Sequence, residues 1–290
     1  MAESYIDPLS QSALELSDSV TLPSRPEVLE LIAEEMEQAS PDLEKVVATL
    51  NLDAALFGAI LQVVNSPYFG LKTTVTSIKH AVMLLGLRDV YSLARTAALR
   101  SSLGKLKGLD RFWDSSVEVA ALCRMIAIEI TDKSPDDAYT LGMFHDAGVP
   151  LMMLAFPKYR RVLKSVLAKE PNAILEHEIA HFGCHRYHVG HRLAVRWFLP
   201  EYICQSILFQ SVTENVLKGN IITTPHTPEL LAVLTLAKHI SNRFRAYWRV
   251  AAEPDFNNIP EQAAQFLKLN EAGYVDLQDR LLQRLQTDLP

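Results

Sequence analysis

The chain has 290 residues, 49% of them hydrophobic and 21% charged, with a formal net charge of -6 and a pI near 5.9. That length accommodates one large domain or two small ones with a sizeable core. The acidic balance and the lack of a long basic run argue against nucleic acid as the main partner, although Arg243, Arg245 and Arg249 cluster locally.

Cys123, Cys184 and Cys204 form no CxxC pair, which predicts no disulfide framework and a reducing, cytoplasmic setting. Met1–Asp7 lacks the basic and apolar regions of a signal peptide. The longest apolar runs, such as Leu151–Phe156, are too short for membrane insertion.

Residues 1–21 are polar, Ser-rich and weakly periodic, and read as a tail or an isolated helix. Leu22-Pro23-Ser24-Arg25-Pro26 is a stiff entry, with Ser24 near a helix start and Pro26 suited to a first turn. Val28, Leu29, Leu31, Ile32 and Met36 give Glu27–Ala39 a helical stripe. A second helix restarts at Ser40-Pro41-Asp42 with Leu43, Val46, Val47 and Leu50 inward, and Asn51 and Asp53 open a third with Leu56, Ile60, Leu61 and Val64.

The third helix runs into Asn65-Ser66-Pro67-Tyr68-Phe69-Gly70, where Asn65 ends it, Pro67 prevents continuation and Gly70 is expected at positive φ. Tyr68 and Phe69 are read as anchors between subdomains, so the whole turn is assigned a structural role. Helical stripes resume over Ser77–Leu85, and Gly86 stops them before a helix over Arg88–Arg100. After the basic loop Gly104–Gly108, Phe112–Ile130 predicts a long amphipathic helix, and Pro135 restarts a helix that leads into His145-Asp146.

Further helices are predicted over 158–169, 172–182, 187–198, 201–217 and 228–247. Pro254 and Pro260 bound a polar link to helices over Glu261–Leu269 and Asp276–Leu285, which either pack back on the domain or bind a partner helix. Trp113 and Trp197 read as core. Only Ile221-Ile222 suggests extended chain, so the predicted fold class is all-α with short connections.

Within Leu141-Gly142-Met143-Phe144-His145-Asp146-Ala147-Gly148, an adjacent imidazole and carboxylate sit in an apolar run. A divalent-metal phosphohydrolase needs such a pair, because the carboxylate can bridge two metals while the imidazole ligates one. A second string, His177-Glu178-Ile179-Ala180-His181, reads as HExxH, with His185 and His188 beyond it. On a helix His177 and His181 would share one face, with Glu178 available as a base.

The order and spacing of five blocks resemble the HDOD domain, the HD-related output domain of bacterial signalling proteins, over roughly residues 22–240. The blocks are Leu61–Leu71, Ser77–Leu87, Phe112-Trp113, Leu141–Gly148, and Val189-Gly190 through Arg196-Trp197 to Leu199-Pro200. The resemblance implies an HD-domain-like helical bundle at 106–240 and an N-terminal helical subdomain at 22–105, between the tail 1–21 and a C-terminal helical extension at 241–290. It also implies a role in signal transduction beside cyclic-dinucleotide or two-component systems, through contacts with other signalling proteins. Oligomeric state is left open.

Placed on that resemblance, the metal ligands of an HD hydrolase are incomplete here. Ser115 stands at one His position, Arg186 at a second, Leu208-Phe209-Gln210 at a His run, and Lys238 follows Ala237 where a carboxylate is expected. His145 and Asp146 survive as a remnant pair, and His185 and His188 are weaker candidates. A hydroxyl, a guanidinium and an ammonium cannot ligate as imidazoles and carboxylates do.

The expectation is therefore a non-catalytic module without a cofactor, in which Lys238 or Arg186 pairs with Asp146. The alternative is a metal-dependent phosphohydrolase, of phosphodiesterase or nucleotidase type, rearranged around His145, Asp146, His185 and His188. The HExxH string falls where the family carries a Glu-rich helix and a Phe-Gly turn, matched by Phe182-Gly183, and is read as a solvated His-rich helix.

Overall fold

A computed structural model describes residues 17–65, 71, 73–103, 108–131, 135–169, 173–247 and 260–288. Its described residues contain helices and turns and no strand, and they divide into two compact units. The smaller comprises residues 23–107 with 283–290, and the larger comprises 1–22 with 108–282. Ser66–Gly70 lie outside the described residues, and with them the expectations for Pro67, Tyr68, Phe69 and Gly70.

The smaller unit holds α1 (Glu27–Met36), α2 (Leu43–Asn51), α3 (Ala54–Val64), α4 (Ile78–Leu85) and α5 (Leu87–Ser102). Asp42 starts α2 by accepting from the backbone N–H groups of Glu44 and Lys45, and Asp53 does the same for Leu56 at α3. Ser24 does not cap α1: the residue before its first turn is Pro26, extended at φ -58° and ψ 137°. Gly86, at φ +92°, ends α4 and precedes α5 directly, a backbone state that side-chain-bearing residues rarely adopt.

Asn65 does more than stop α3. Its amide donates to the Val75 carbonyl at 2.8 Å and accepts from the Val75 N–H at 2.7 Å, pairing with that residue's backbone as a strand partner would. Ile60, Val64, Val75 and Ile78 are buried around this clasp.

The larger unit is built on α6 (Asp110–Ile130) and α7 (Pro135–Phe144), followed by α8 (Gly148–Ala155), α9 (Tyr159–Lys169), α10 (Ile174–Phe182), α11 (Arg186–Arg196) and α12 (Glu201–Leu208). A 3₁₀ turn at Phe209–Val212, α13 (Thr213–Leu217), α14 (Thr227–Tyr247), α15 (Pro260–Phe266) and α16 (Glu271–Asp288) complete the chain, with residues 283–290 grouped with the smaller unit. The pair α6–α7 packs under α14, while α11 lies between α8 and α12. Trp197 is fully buried and meets the Phe144 ring edge-on at 5.8 Å, joining the end of α11 to the end of α7.

Three features depart from the sequence reading. The single helix expected over 201–217 is three pieces, because the 3₁₀ turn at Phe209–Val212 lets Phe209 and Gln210 both point inward. Helix α8 was not anticipated, since Gly148–Ala155 is apolar on every side and carries no period. The tail is anchored at its end: Ser17 and Val20 are buried, and Arg192 of α11 holds the Ser17 carbonyl and the Asp18 carboxylate, the latter at 2.9 Å. The Ile221-Ile222 stretch forms no strand. Helix α15 of the C-terminal extension packs on α14 and α13 within the larger unit.

Candidate functional site

His145, Asp146 and Ala147 form the turn between α7 and α8, and two glycines set where that turn lies. A Cβ on Gly142 would fall 2.4 Å from the Ala120 Cα, so only glycine lets α7 lie directly on the α6 backbone. A Cβ on Gly148 would fall 1.9 Å from the Arg186 carbonyl oxygen. The start of α8 is thereby pressed against the start of α11, which brings Arg186 to the His-Asp turn. The sequence block around His145-Asp146 is glycine-flanked because two helices must touch there.

Both side chains of the pair are buried. The His145 ring donates from Nδ1 to the Gly142 carbonyl at 2.6 Å, which fixes its orientation, and Nε2 faces Asp146 Oδ2 at 3.4 Å, long for a hydrogen bond. The Gln210 amide donates to the His145 carbonyl at 2.8 Å and accepts from Lys238 Nζ at 3.2 Å, tying α14 to the turn through one side chain. The Lys238 ammonium also lies 5.8 Å from the centre of the Tyr187 ring.

Arg186 is engaged elsewhere. Its Nε and Nη2 donate to Glu178 Oε1 at 2.9 and 2.7 Å, and its backbone N–H donates to Glu178 Oε2 at 2.9 Å. The Tyr159 hydroxyl donates to the same Oε1 at 2.5 Å. The Arg186 guanidinium is thus committed to Glu178, while Asp146 Oδ1 is buried without a hydrogen-bond partner. The two cations act on Asp146 through space. Burial alone would push the Asp146 carboxyl up, but the charges of Lys238, His145 and Arg186 outweigh it and hold it well below the usual carboxylate range. Burial likewise disfavours the charged guanidinium, and Glu178 overrides it, so Arg186 is held well above its ordinary value.

Glu178 corrects the reading of the HExxH string. His181 is exposed and His177 partly so, their ring centres 5.9 Å apart, whereas Glu178 is 2% exposed and its carboxylate is taken up by Tyr159 and Arg186. It cannot serve a metal held by that histidine pair. The sequence signal for this was present: Ile174, Glu178 and Phe182 recur at four-residue spacing, which puts the carboxylate on the buried stripe of α10. Tyr159 and Gln210 carried no comparable signal, because they meet the site from α9 and from the irregular 3₁₀ turn.

His185 and His188 form a reciprocal cap at the start of α11. His185 Nδ1 accepts from the Tyr187 and His188 backbone N–H groups at 3.2 and 3.4 Å, His188 Nδ1 accepts from the His185 N–H at 3.4 Å, and the rings stack 3.7 Å apart. Both Nδ1 atoms are thus occupied as acceptors. Ser115 is buried on α6. Among the described residues no group of three or more His, Cys, Asp or Glu side chains is arranged to hold a metal ion, and no single helix is long and apolar enough to cross a membrane.

This arrangement sits in a helical scaffold whose family can now be identified. The family model of the HDOD domain matches residues 22–212, well over half of the chain. The chain belongs to the HDOD family. Among similar proteins, an uncharacterized protein of Treponema pallidum (strain Nichols) is 25% identical over 255 residues, which is 86% of this chain and 46% of that protein. The HDOD chain therefore spans about half the length of that curated relative.

Two solved structures share its fold. A protein of Shewanella amazonensis SB2B described as a “putative phosphohydrolase” superposes with a TM-score of 0.72 at 21% identity, covering 98% of this chain and 100% of the other. A “putative signal transduction protein” of Marinobacter aquaeolei VT8 also gives 0.72, at 19% identity, covering 94% of this chain and 59% of the other.

Proposed function

We propose that this HDOD protein is a non-catalytic regulatory module that transmits a signal through protein contacts, with its HD metal position taken over by side-chain charges. The observation that supports this most is the Glu178–Arg186 pair. Arg186 stands where the family resemblance expects a metal-ligating His, and three hydrogen bonds commit its guanidinium and backbone to a buried carboxylate. Glu178 and Asp146 carry two negative charges and Arg186 and Lys238 two positive ones, so the protein itself supplies the cations that face these carboxylates.

A divalent ion does not fit that donor set. It would add two positive charges and stand beside two cations. At a separation of about 4 Å and an effective dielectric of about 20, each like unit pair costs about 4 kcal/mol. The partners this reading calls for are other signalling proteins, of cyclic-dinucleotide or two-component systems.

The second reading, a metal-dependent phosphohydrolase rearranged around His145 and Asp146, draws on the partnerless Oδ1 of Asp146. Metal analysis of the purified, tag-free protein, with phosphodiesterase and nucleotidase assays on the same sample, separates the two. The regulatory reading expects substoichiometric iron, manganese and zinc and no turnover above a His145→Ala control. Stoichiometric metal or turnover that disappears in His145→Ala would overturn it.

A further inference from the structure

One stretch of this acidic chain is purely cationic. Residues 147–169 carry five Lys and Arg and no Asp or Glu, against a formal net charge of -6 for the whole. The charges gather on α9. Its inner side buries Tyr159 and Val166, and Glu178 holds the Tyr159 hydroxyl, so the helix cannot roll over. Lys158, Arg160, Arg161 and Lys164 lie exposed on the opposite side, within about 9 Å along the axis. Among the described residues Lys158, Arg161 and Lys164 form no ion pair, whereas Lys79, Lys218 and Arg280 each meet a carboxylate.

Four cations on one fixed face suit an extended anionic surface. Arg160 reaches back to the Met153 Sδ at 3.9 Å, which sets these charges beside the end of α8, where Leu154 is 50% exposed. A phosphodiester backbone offers nothing to a leucine, whereas the headgroup region of a bilayer takes up an apolar side chain. Helix α9 also presents no ring on which a base could stack, because its tyrosine is buried. We propose that α9 is a docking face for an anionic membrane surface, with its four cations at the headgroups and Leu154 dipping between them. The acidic remainder of the chain does not oppose this, since charges more than about 8 Å away are screened at physiological salt. Each Lys or Arg beside an anionic leaflet raises binding about fivefold, so four raise it roughly 600-fold. The result is reversible adsorption that needs no membrane-spanning helix, and it is independent of how the His-Asp site is read.

The test is co-sedimentation of the full chain with vesicles of phosphatidylcholine alone and of phosphatidylcholine with about 30 mol% phosphatidylserine. The expected result is binding to the second and not the first, released when salt rises from about 0.05 M to about 0.5 M. Combining Lys158→Gln, Arg161→Gln and Lys164→Gln should weaken binding about 100-fold at an unchanged melting temperature, because all three side chains are exposed. Leu154→Ser should weaken it by about threefold or more. Neutralising Lys79, Lys218 and Arg280 instead removes the same charge elsewhere and should leave binding as it was. The proposal is overturned if neither vesicle binds, if both bind alike, or if Leu154→Ser has no effect. It is equally overturned if the α9 variant binds as the wild type does, or if the control variant loses as much. Tighter binding of duplex DNA or of polyglutamate than of the phosphatidylserine vesicles would also overturn it, assigning the face to nucleic acid or to an acidic protein.

Discussion

Replacing Arg186 by Met removes the guanidinium from Glu178 while keeping most of the aliphatic volume. Glu178 would then be a carboxylate, 2% exposed, holding only the Tyr159 hydroxyl and the Arg186 backbone N–H as donors. Breaking a buried pair by removing one partner costs about 3–5 kcal/mol, because an uncompensated charge stays behind. For a unit of this size each kcal/mol moves the midpoint by about 2–4 °C, so Arg186→Met should melt about 6–20 °C lower. Trp113 and Trp197, both buried in the larger unit, make tryptophan fluorescence in urea a direct report on that unit.

The double variant Glu178→Gln/Arg186→Met separates charge from packing. The glutamine oxygen at position 178 can still accept from the backbone N–H at position 186 while its amide NH2 donates to the Tyr159 hydroxyl oxygen, so the double variant should recover most of the loss and lie within about 2 kcal/mol of the wild type. If Arg186→Met costs less than about 1 kcal/mol, as an exposed ion pair would, or if the coupling energy between the two positions is within about 0.5 kcal/mol of zero, the buried-pair account of this site is wrong.

Three further outcomes follow from the same structure. Burial, with the nearby charges of His188 and Arg186, holds the His185 imidazole well below its ordinary value. The unfolded chain therefore takes up a proton below about pH 6.5 that the folded chain refuses, so this stabilisation is complete above that pH and declines by about 1.4 kcal/mol per pH unit as the pH falls. His185→Asn keeps an acceptor at the cap and should flatten urea-derived stability between pH 6.5 and 5; equal slopes in both proteins would refute the assignment. Gly148→Ala must displace α8 from the Arg186 carbonyl and should destabilise the larger unit by about 3 kcal/mol or more, measured by urea unfolding; a near-wild-type midpoint would show that the contact is not tight. Asn65→Ala loses both bonds to Val75 and should cost about 1–3 kcal/mol, with faster hydrogen exchange at the Val75 amide; unchanged exchange there would refute the clasp.

Much of the fold was legible because its signals are local. The stripe over Phe112–Ile130, the stop at Gly86 and the break at Asn65 depend on residues a turn or less apart, and each is where the periodicity places it. Local reasoning failed where a segment has no period or where neighbours override one. Helix α8 is apolar all round, and the expected 201–217 helix bends into a 3₁₀ turn that buries Phe209 and sends Gln210 to His145 and Lys238.

The chemistry of the His-Asp turn divides the same way. That Arg186, Lys238 and Ser115 are poor ligands is a property of their side chains, readable from the sequence once the family resemblance places them. Which charge pairs with which was not readable. Arg186 goes to Glu178, eight residues earlier, because the glycine at position 148 lets α8 lie against the start of α11 while Glu178 occupies the buried face of α10. Asp146 keeps a buried Oδ1 without a hydrogen-bond partner and is held ionised by the charges of Lys238 and Arg186. Residue type and helical period are written along the chain, but ion-pair partners are chosen by how closely backbones approach, and that is settled only when the helices pack.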